Sequence, residues 1–201
     1  KLSNDNNVIS LQRYESDYFM RKICTELEEE LSLQSVIYPF AKKLEKLKEF
    51  QEADIAHFHL IFNQFLSLYD LVDIFNSKPT VLSIHDPWFL TGHCIYPVEC
   101  KKWLEGCKEC SHLDRISKIN KQTTDSIWNI KKDLYEKIKD IDIVVYSNWM
   151  LDLLKQSPLA QKFKNIHLIN FGIDLNKFYK NQNVKEARKK YNINENDFVI
   201  M

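Results

Sequence analysis

Glycine is scarce in this chain: three residues in 201, Gly92, Gly106 and Gly172, and none before Gly92. Without an early glycine the chain shows no glycine-rich strand-to-helix turn of the kind that brings backbone N–H groups onto a phosphate, which disfavours a Rossmann-type nucleotide enzyme of that design. Net charge is also missing. Lys+Arg and Asp+Glu both number 28, so no whole-molecule field would draw in nucleic acid, and no nucleic-acid partner is expected. No apolar run approaches the roughly 20 residues that cross a bilayer. The opening KLSNDNNVIS lacks the charged-then-apolar form of a secretory signal. These absences lead us to expect a cytoplasmic protein.

What is present suits a folded domain. A composition 44% hydrophobic and 28% charged can bury a substantial core. Short β-branched runs alternate with amphipathic stretches. Asp17 to Leu33 reads as a helix with Phe19, Ile23, Leu27 and Leu31 on one face, and Lys42 to Phe50 as another amphipathic turn or two. Val8 to Leu11 could be a short strand. Ala53 to Leu60 is a strand candidate in which Ile55, His57 and His59 point one way and Phe58 and Leu60 the other. Ile61 to Asn76 then predicts a largely apolar helix, and Pro79 to Ile84 the next strand, together a βαβ unit. Ile116 to Lys139 reads as a long helix with Ile127, Ile130, Leu134 and Ile138 at core spacing. Further on we expect a strand over Ile141 to Tyr146, a helix over Trp149 to Gln156, a strand over Ile166 to Ile169, a turn at Gly172 to Asp174 and a short basic helix over Val184 to Tyr191. Asp197 to Met201 looks like a strand that stops as it starts. The expected fold class is α/β, a Rossmann-like parallel sheet with helices on both faces.

In such sheets ligands sit outside the carboxyl ends of the strands, where His59, His85, Asp86 and Ser147 are expected. His85 closes the run PTVLSI, a place from which an imidazole can hydrogen-bond a substrate or shuttle a proton near neutral pH. A histidine satisfied by backbone groups at a loop entrance is the plain alternative. Asp86 could equally start the turn at Pro87. Asp140 and Asp142 precede their strand, at the far end from the cleft, and read as a solvated helix-to-strand turn. His57 and His59 suit a core or cleft-wall role better than a metal site.

Four of the five cysteines stand in the loop after His85, spaced C-x5-C-x6-C-x2-C at Cys94, Cys100, Cys107 and Cys110. Four thiolates can close a tetrahedral structural zinc site, and Cys107-x-x-Cys110 has the two-ligand hook of such sites. Free thiols packing as small hydrophobes and disulfides are the other readings. Cys24, alone on the first helix, is expected in the core.

The stretch TVLSIHDPWFLTGHCIYP, followed by CKKWLEGCKEC, resembles the acceptor-side half of a subgroup of family 4 glycosyltransferases, whose loop runs roughly T-x-H-D-x-W-x-F-T-G-x-C-x-Y…C…W…G-C-x-x-C-P. Ala53–Leu60 is similar to that subgroup's A-D-I-x-H-x-H strand, Val144–Trp149 to its V-x-x-S-x-W segment, and Phe171–Asp174 to its N-G-I-D turn. The likeness runs from about Ala53 to Phe178. Ser111, Ile95 and His93 stand where the family usually or often has proline, histidine and glycine. The resemblance implies a GT-B arrangement of two Rossmann-like domains: an acceptor-side domain over 1–180 carrying the cysteine-rich loop 87–113, then a linker and the possible first strand of a donor-binding domain over 181–201.

It further implies a retaining transferase that needs no metal for catalysis and moves a sugar from a nucleotide-sugar donor to a saccharide or lipid-linked acceptor in surface polysaccharide synthesis, in the cytoplasm or peripherally at the inner membrane face. By the same resemblance His85 is the catalytic candidate. His59, Asp86, Thr91, Gly92, Ser147, Gly172 and Asp174 are substrate-binding candidates. The family's opening strand and the rest of its second domain are not visible here, so this chain alone is expected to be inactive. The alternative is a non-catalytic binding module with a zinc-stapled cysteine loop.

Overall fold

The computed structural model describes residues 8, 9, 11, 15–62, 66–114, 119–179 and 183–200. They divide into two compact units, Lys1–Asn170 and Phe171–Met201. The first unit holds a four-stranded sheet of β1 (Ala56–His59), β2 (Thr80–Ile84), β3 (Asp142–Val145) and β4 (Ile166–Leu168), in the order β1-β2-β3-β4. Every pairing is parallel, so the α/β, Rossmann-like expectation stands. Each crossover must return over a face of the sheet. Those faces are covered by apolar residues of the connecting segments.

The helices are α1 (Glu15–Leu31), α2 (Ala41–Glu45), α3 (Lys48–Glu52), α4 (Leu71–Ser77), α5 (Thr124–Tyr135), α6 (Asn148–Gln156) and, in the second unit, α7 (Val184–Lys190). Ile143 and Val145 of β3 are fully buried, together with Leu82 and Ile84 of β2 and Ile74 and Phe75 of α4. In β1 only Ala56 and Phe58 turn to the core, while His57 and His59 face solvent. This is the period-two alternation of a half-buried strand.

Three expectations about helices fail, each for a tertiary reason. The predicted helix over 61–76 is helical only from Leu71, after a 3-10 turn at Leu68–Asp70, and residues 63–65 lie outside the described set. Leu66, Leu68 and Leu71 are all about 1% exposed, and at 3.6 residues per turn positions 66 and 68 would face nearly opposite ways on a helix. Among the described residues the predicted helix over 116–139 is confined to Thr124–Tyr135, and residues 116–118 lie outside the described set. The backbone N–H groups of Asn120 and Lys121 donate to Ser32 Oγ instead, and the Gln122 side chain clasps both backbone groups of Cys110.

The face chosen for α1 is also wrong, since Phe19, Leu27 and Leu31 are exposed. The helix docks through Asp17, Cys24 and Glu28. Asp17 pairs with Lys43, Cys24 packs with Tyr38 and Phe40, and Glu28 accepts from Tyr38 Oη at 3.0 Å and from the Val36 N–H. Burial pushes the Glu28 carboxyl up to about 7. Cys24 is in the core as expected. No strand forms among the described residues of 8–11 and 197–200, while Ser10 and Met201 lie outside the described set. Asp142 is the first residue of β3 rather than part of the turn before it; it lies at the amino-terminal end of the sheet, hydrogen-bonded to His167 at 2.7 Å.

The sheet's centre carries the load of this core. Ile143→Ala should therefore cost about 2–5 kcal/mol in urea unfolding, whereas Ile55→Ala, at a site 60% exposed, should stay within about 0.5 kcal/mol.

Candidate functional site

Parallel register sets the position of every group at the carboxyl edge. His59 pairs with Ser83, and Ile84 with Val145, so the residues that follow, His85 after β2 and Tyr146 after β3, emerge side by side. The His59 Nδ1 and His85 Nε2 atoms lie 2.8 Å apart, a hydrogen bond in which one ring donates and the other accepts. The His85 ring also meets the Tyr146 ring at 5.0 Å between centroids, and the rings of His57 and His59 lie 4.3 Å apart. His57 Nε2 bonds Ser83 Oγ at 2.8 Å. Burial, and then the neighbouring imidazoles, lower the proton affinity of both His57 and His85; the Asp86 carboxylate partly opposes this at His85. Lowered proton affinity favours the neutral ring, the state in which an imidazole can take up a proton.

Beside this edge a groove of about 250 Å³ is lined by Leu60, Phe62, His85, Asp86 and Trp88 among others. Phe62 and Trp88 stack at 4.6 Å with their planes 18° apart. Asp86 has two duties: its Oδ1 accepts from the Trp88 N–H at 2.9 Å, capping the 3-10 turn Pro87–Leu90, and its side chain borders the groove. Burial raises its carboxyl above the ordinary range. Pro87 at the start of that turn has no N–H to satisfy, and this favours the tight entry.

The turn is held from below by Lys131. This residue is fully buried, and its Nζ donates to the carbonyls of Trp88 at 2.5 Å and Thr91 at 2.7 Å while lying 3.4 Å from the centre of the Trp88 ring. Burial drives its proton affinity well down, an effect partly opposed by Cys107, Asp86 and Cys94. Sequence reasoning passed over Lys131 because lysines usually mark a solvated face. The signal was its spacing: Ile127, Lys131, Leu134 and Ile138 form an i, i+4, i+7, i+11 stripe.

The other site candidates fall in different places. Thr91 and Gly92 are buried behind the groove wall. Thr91 Oγ1 donates to the Cys94 carbonyl at 2.7 Å, and the Gly92 N–H donates to Cys107 Sγ at 3.2 Å. Ser147 sits at the carboxyl edge as the N-cap of α6, where its Oγ accepts from the Met150 N–H. Gly172 and Asp174 belong to the second unit, in which Asp174 Oδ1 accepts from the Asn176 N–H and the Asp174 carbonyl from the Phe178 N–H. Tyr146, now in contact with His85, was not singled out, although it directly precedes the Ser147 that was.

Cys94, Cys100, Cys107 and Cys110 are not joined in disulfides, and all four line one cavity beneath the loop. Burial pushes the Cys107 thiol up to about 11. Among the described residues, no three His, Cys, Asp or Glu side chains already stand as a set that could hold a metal ion, and no helix is long and apolar enough to cross a membrane.

Comparison with known proteins finds a distant likeness. The chain is 26% identical, over an alignment of 134 residues, to the protein of Escherichia coli (strain K12) named "Putative colanic acid biosynthesis glycosyl transferase WcaC". The alignment takes in 60% of this chain and 31% of that relative, so the chain spans about a third of the relative's length. No family model and no solved structure matches. A likeness to a glycosyl transferase and a parallel sheet with its polar cluster at the carboxyl edge point the same way.

Two predictions concern this edge. His57 and His85 bind a proton less readily folded than unfolded, so the unfolded chain takes up more protons as pH falls below about 6.5 and stability is lost there. In His57→Gln/His85→Gln the fall in unfolding free energy between pH 7 and pH 5 should be shallower. A methyl at Gly92 would lie 2.1 Å from the Thr124 carbonyl oxygen and 3.0 Å from Cys107 Cβ. Gly92→Ala should therefore lower the thermal midpoint by the several degrees that about 1–3 kcal/mol of overpacking implies.

Proposed function

We propose that this chain is the acceptor-side part of a retaining glycosyltransferase of the GT-B type, acting in polysaccharide biosynthesis. The observation that carries the reading is the His59–His85–Tyr146 cluster at the carboxyl edge of a parallel sheet, beside a groove walled by Phe62 and Trp88. The likeness to a colanic acid glycosyl transferase supports it.

In this reading the acceptor, a saccharide or a lipid-linked saccharide, rests at the groove with the apolar C–H face of a sugar ring against the aromatic wall. His85 hydrogen-bonds near the reacting hydroxyl, and His59 fixes which of its ring nitrogens carries the proton. Asp86 and Ser147 border the same edge, while Thr91 and Gly92 act behind it by shaping the wall. Gly172 and Asp174 belong to the segment leading toward the donor side. The acceptor oxygen attacks the anomeric carbon of a nucleotide-sugar from the face the diphosphate leaves, the bond to the diphosphate breaks, and the hydroxyl proton passes to the departing diphosphate oxygen. Charge developing on the leaving diphosphate is stabilised by groups outside this chain, so the chain alone is inactive and no catalytic metal is needed. The enzyme works in the cytoplasm, peripherally at the inner membrane face when the acceptor is lipid-linked.

The test uses the full-length protein with a panel of nucleotide sugars and saccharide or lipid-linked acceptors. Transfer should be found and should fall about a hundredfold or more in His85→Ala with the circular dichroism spectrum unchanged. Asp142→Asn, at the opposite end of the sheet, should retain turnover. Full activity in folded His85→Ala, or no transfer from any nucleotide sugar, overturns the reading.

A further inference from the structure

The loop between the groove and α5 contains little regular structure, a 3-10 turn at Lys102–Leu104 apart, yet its four cysteines converge on one cavity. We propose that Cys94, Cys100, Cys107 and Cys110 bind one Zn²⁺ as a structural tetrathiolate that staples this loop beneath the groove. The inference stands independently of the transfer reaction.

Three observations carry it. First, one cavity is lined by all four thiols from a stretch of seventeen positions, and four sulfurs with no competing carboxylate in the lining form a soft donor set suited to zinc. Second, the Cys107–Cys110 segment is built as a knuckle. Gly106, Cys107 and Glu109 have φ of 101°, 55° and 51°, and two of the sulfurs accept backbone hydrogen bonds: Cys107 from the Gly92 N–H at 3.2 Å and Cys110 from the His112 N–H at 3.4 Å. Non-glycine residues enter the left-handed region only where the fold holds them there. N–H groups aimed at sulfur favour the thiolate, the form that ligates metal. Third, Lys131 is fully buried, its Nζ donating to two carbonyls and lying over the Trp88 ring. Cys94 and Cys107 are among its electrostatic neighbours. A zinc tetrathiolate carries two negative charges and would compensate that buried cation.

Binding requires the thiols to turn toward the cavity centre, since no three of them stand as a ligand set among the described residues. Each S–H bond is replaced by an S–Zn bond, and the four protons pass to solvent.

The experiment uses the 201-residue chain, purified under reducing conditions and analysed for metal by plasma mass spectrometry. The expected result is one zinc per chain. After removal of zinc, Co²⁺ titration should give thiolate-to-cobalt charge-transfer bands and tetrahedral d–d bands saturating at one equivalent. In weakly buffered solution zinc should release protons on binding. Cys107→Ser and Cys110→Ser should lose zinc affinity by more than the roughly hundredfold seen when a mere outer-shell partner is removed, while Cys24→Ala should bind zinc as the parent does. Should the serine variants not fold, the cobalt spectrum of the unaltered chain still decides. No metal and no cobalt–thiolate band, a stoichiometric metal other than zinc, or equal zinc binding by folded Cys107→Ser overturns the proposal.

Discussion

Everything at the candidate site depends on strand register. Parallel pairing with His59 opposite Ser83 and Ile84 opposite Val145 brings residues 59, 85 and 146 to one edge, although 26 and 61 positions of chain separate them. A shift of one residue in any of these strands would turn its side chains to the other face of the sheet. In β1, where buried Ala56 and Phe58 alternate with exposed His57 and His59, such a shift would expose Phe58 and bury the imidazoles. The apolar face of β1 therefore holds its end of the polar edge in place.

Lys131 is the second constraint. A buried ammonium is costly unless its hydrogen bonds are made, and here two carbonyls of the 87–91 turn and the face of Trp88 satisfy it. The same contacts fix Trp88, which is hydrogen-bonded through its indole N–H to Gln34 at 2.6 Å and stacked on Phe62. One residue of α5 thus sets the wall of the groove from behind. The Gly92 backbone, closed in by Thr124 and Cys107, joins that wall to the cysteine cavity. Groove and cysteine loop are two faces of one packed layer.

The histidine edge and the cysteine cavity make different demands. At the edge, His59 and His85 share a hydrogen bond and both rings are exposed to solvent. In the cavity, burial pushes the Cys107 thiol up to about 11, opposed by the hydrogen bond from the Gly92 N–H. Chemistry that depends on proton movement near neutral pH suits the first environment, and a structural role suits the second.

Much of the fold was legible from local pattern. Short β-branched runs ending in polar residues located the strands, and the run PTVLSI placed His85 at a strand end because a buried parallel strand has to be apolar nearly throughout. Proximity between histidines was not legible. His57 and His59 share a strand face by period two, but their meeting with His85 depends on which strands pair and in what register. Periodicity also misjudged the segments from 61 and from 116. There the backbone bonds to distant partners such as Ser32, and leucines two apart are buried together, an arrangement no helix allows. The sequence by itself determined that the chain alternates strand and helix, that an imidazole closes the second strand, and that four thiols lie close together in the chain. Only the tertiary structure decided that three imidazoles touch, that Lys131 lies under the groove and that the four thiols face one cavity, because each of these rests on contacts between segments far apart in the chain.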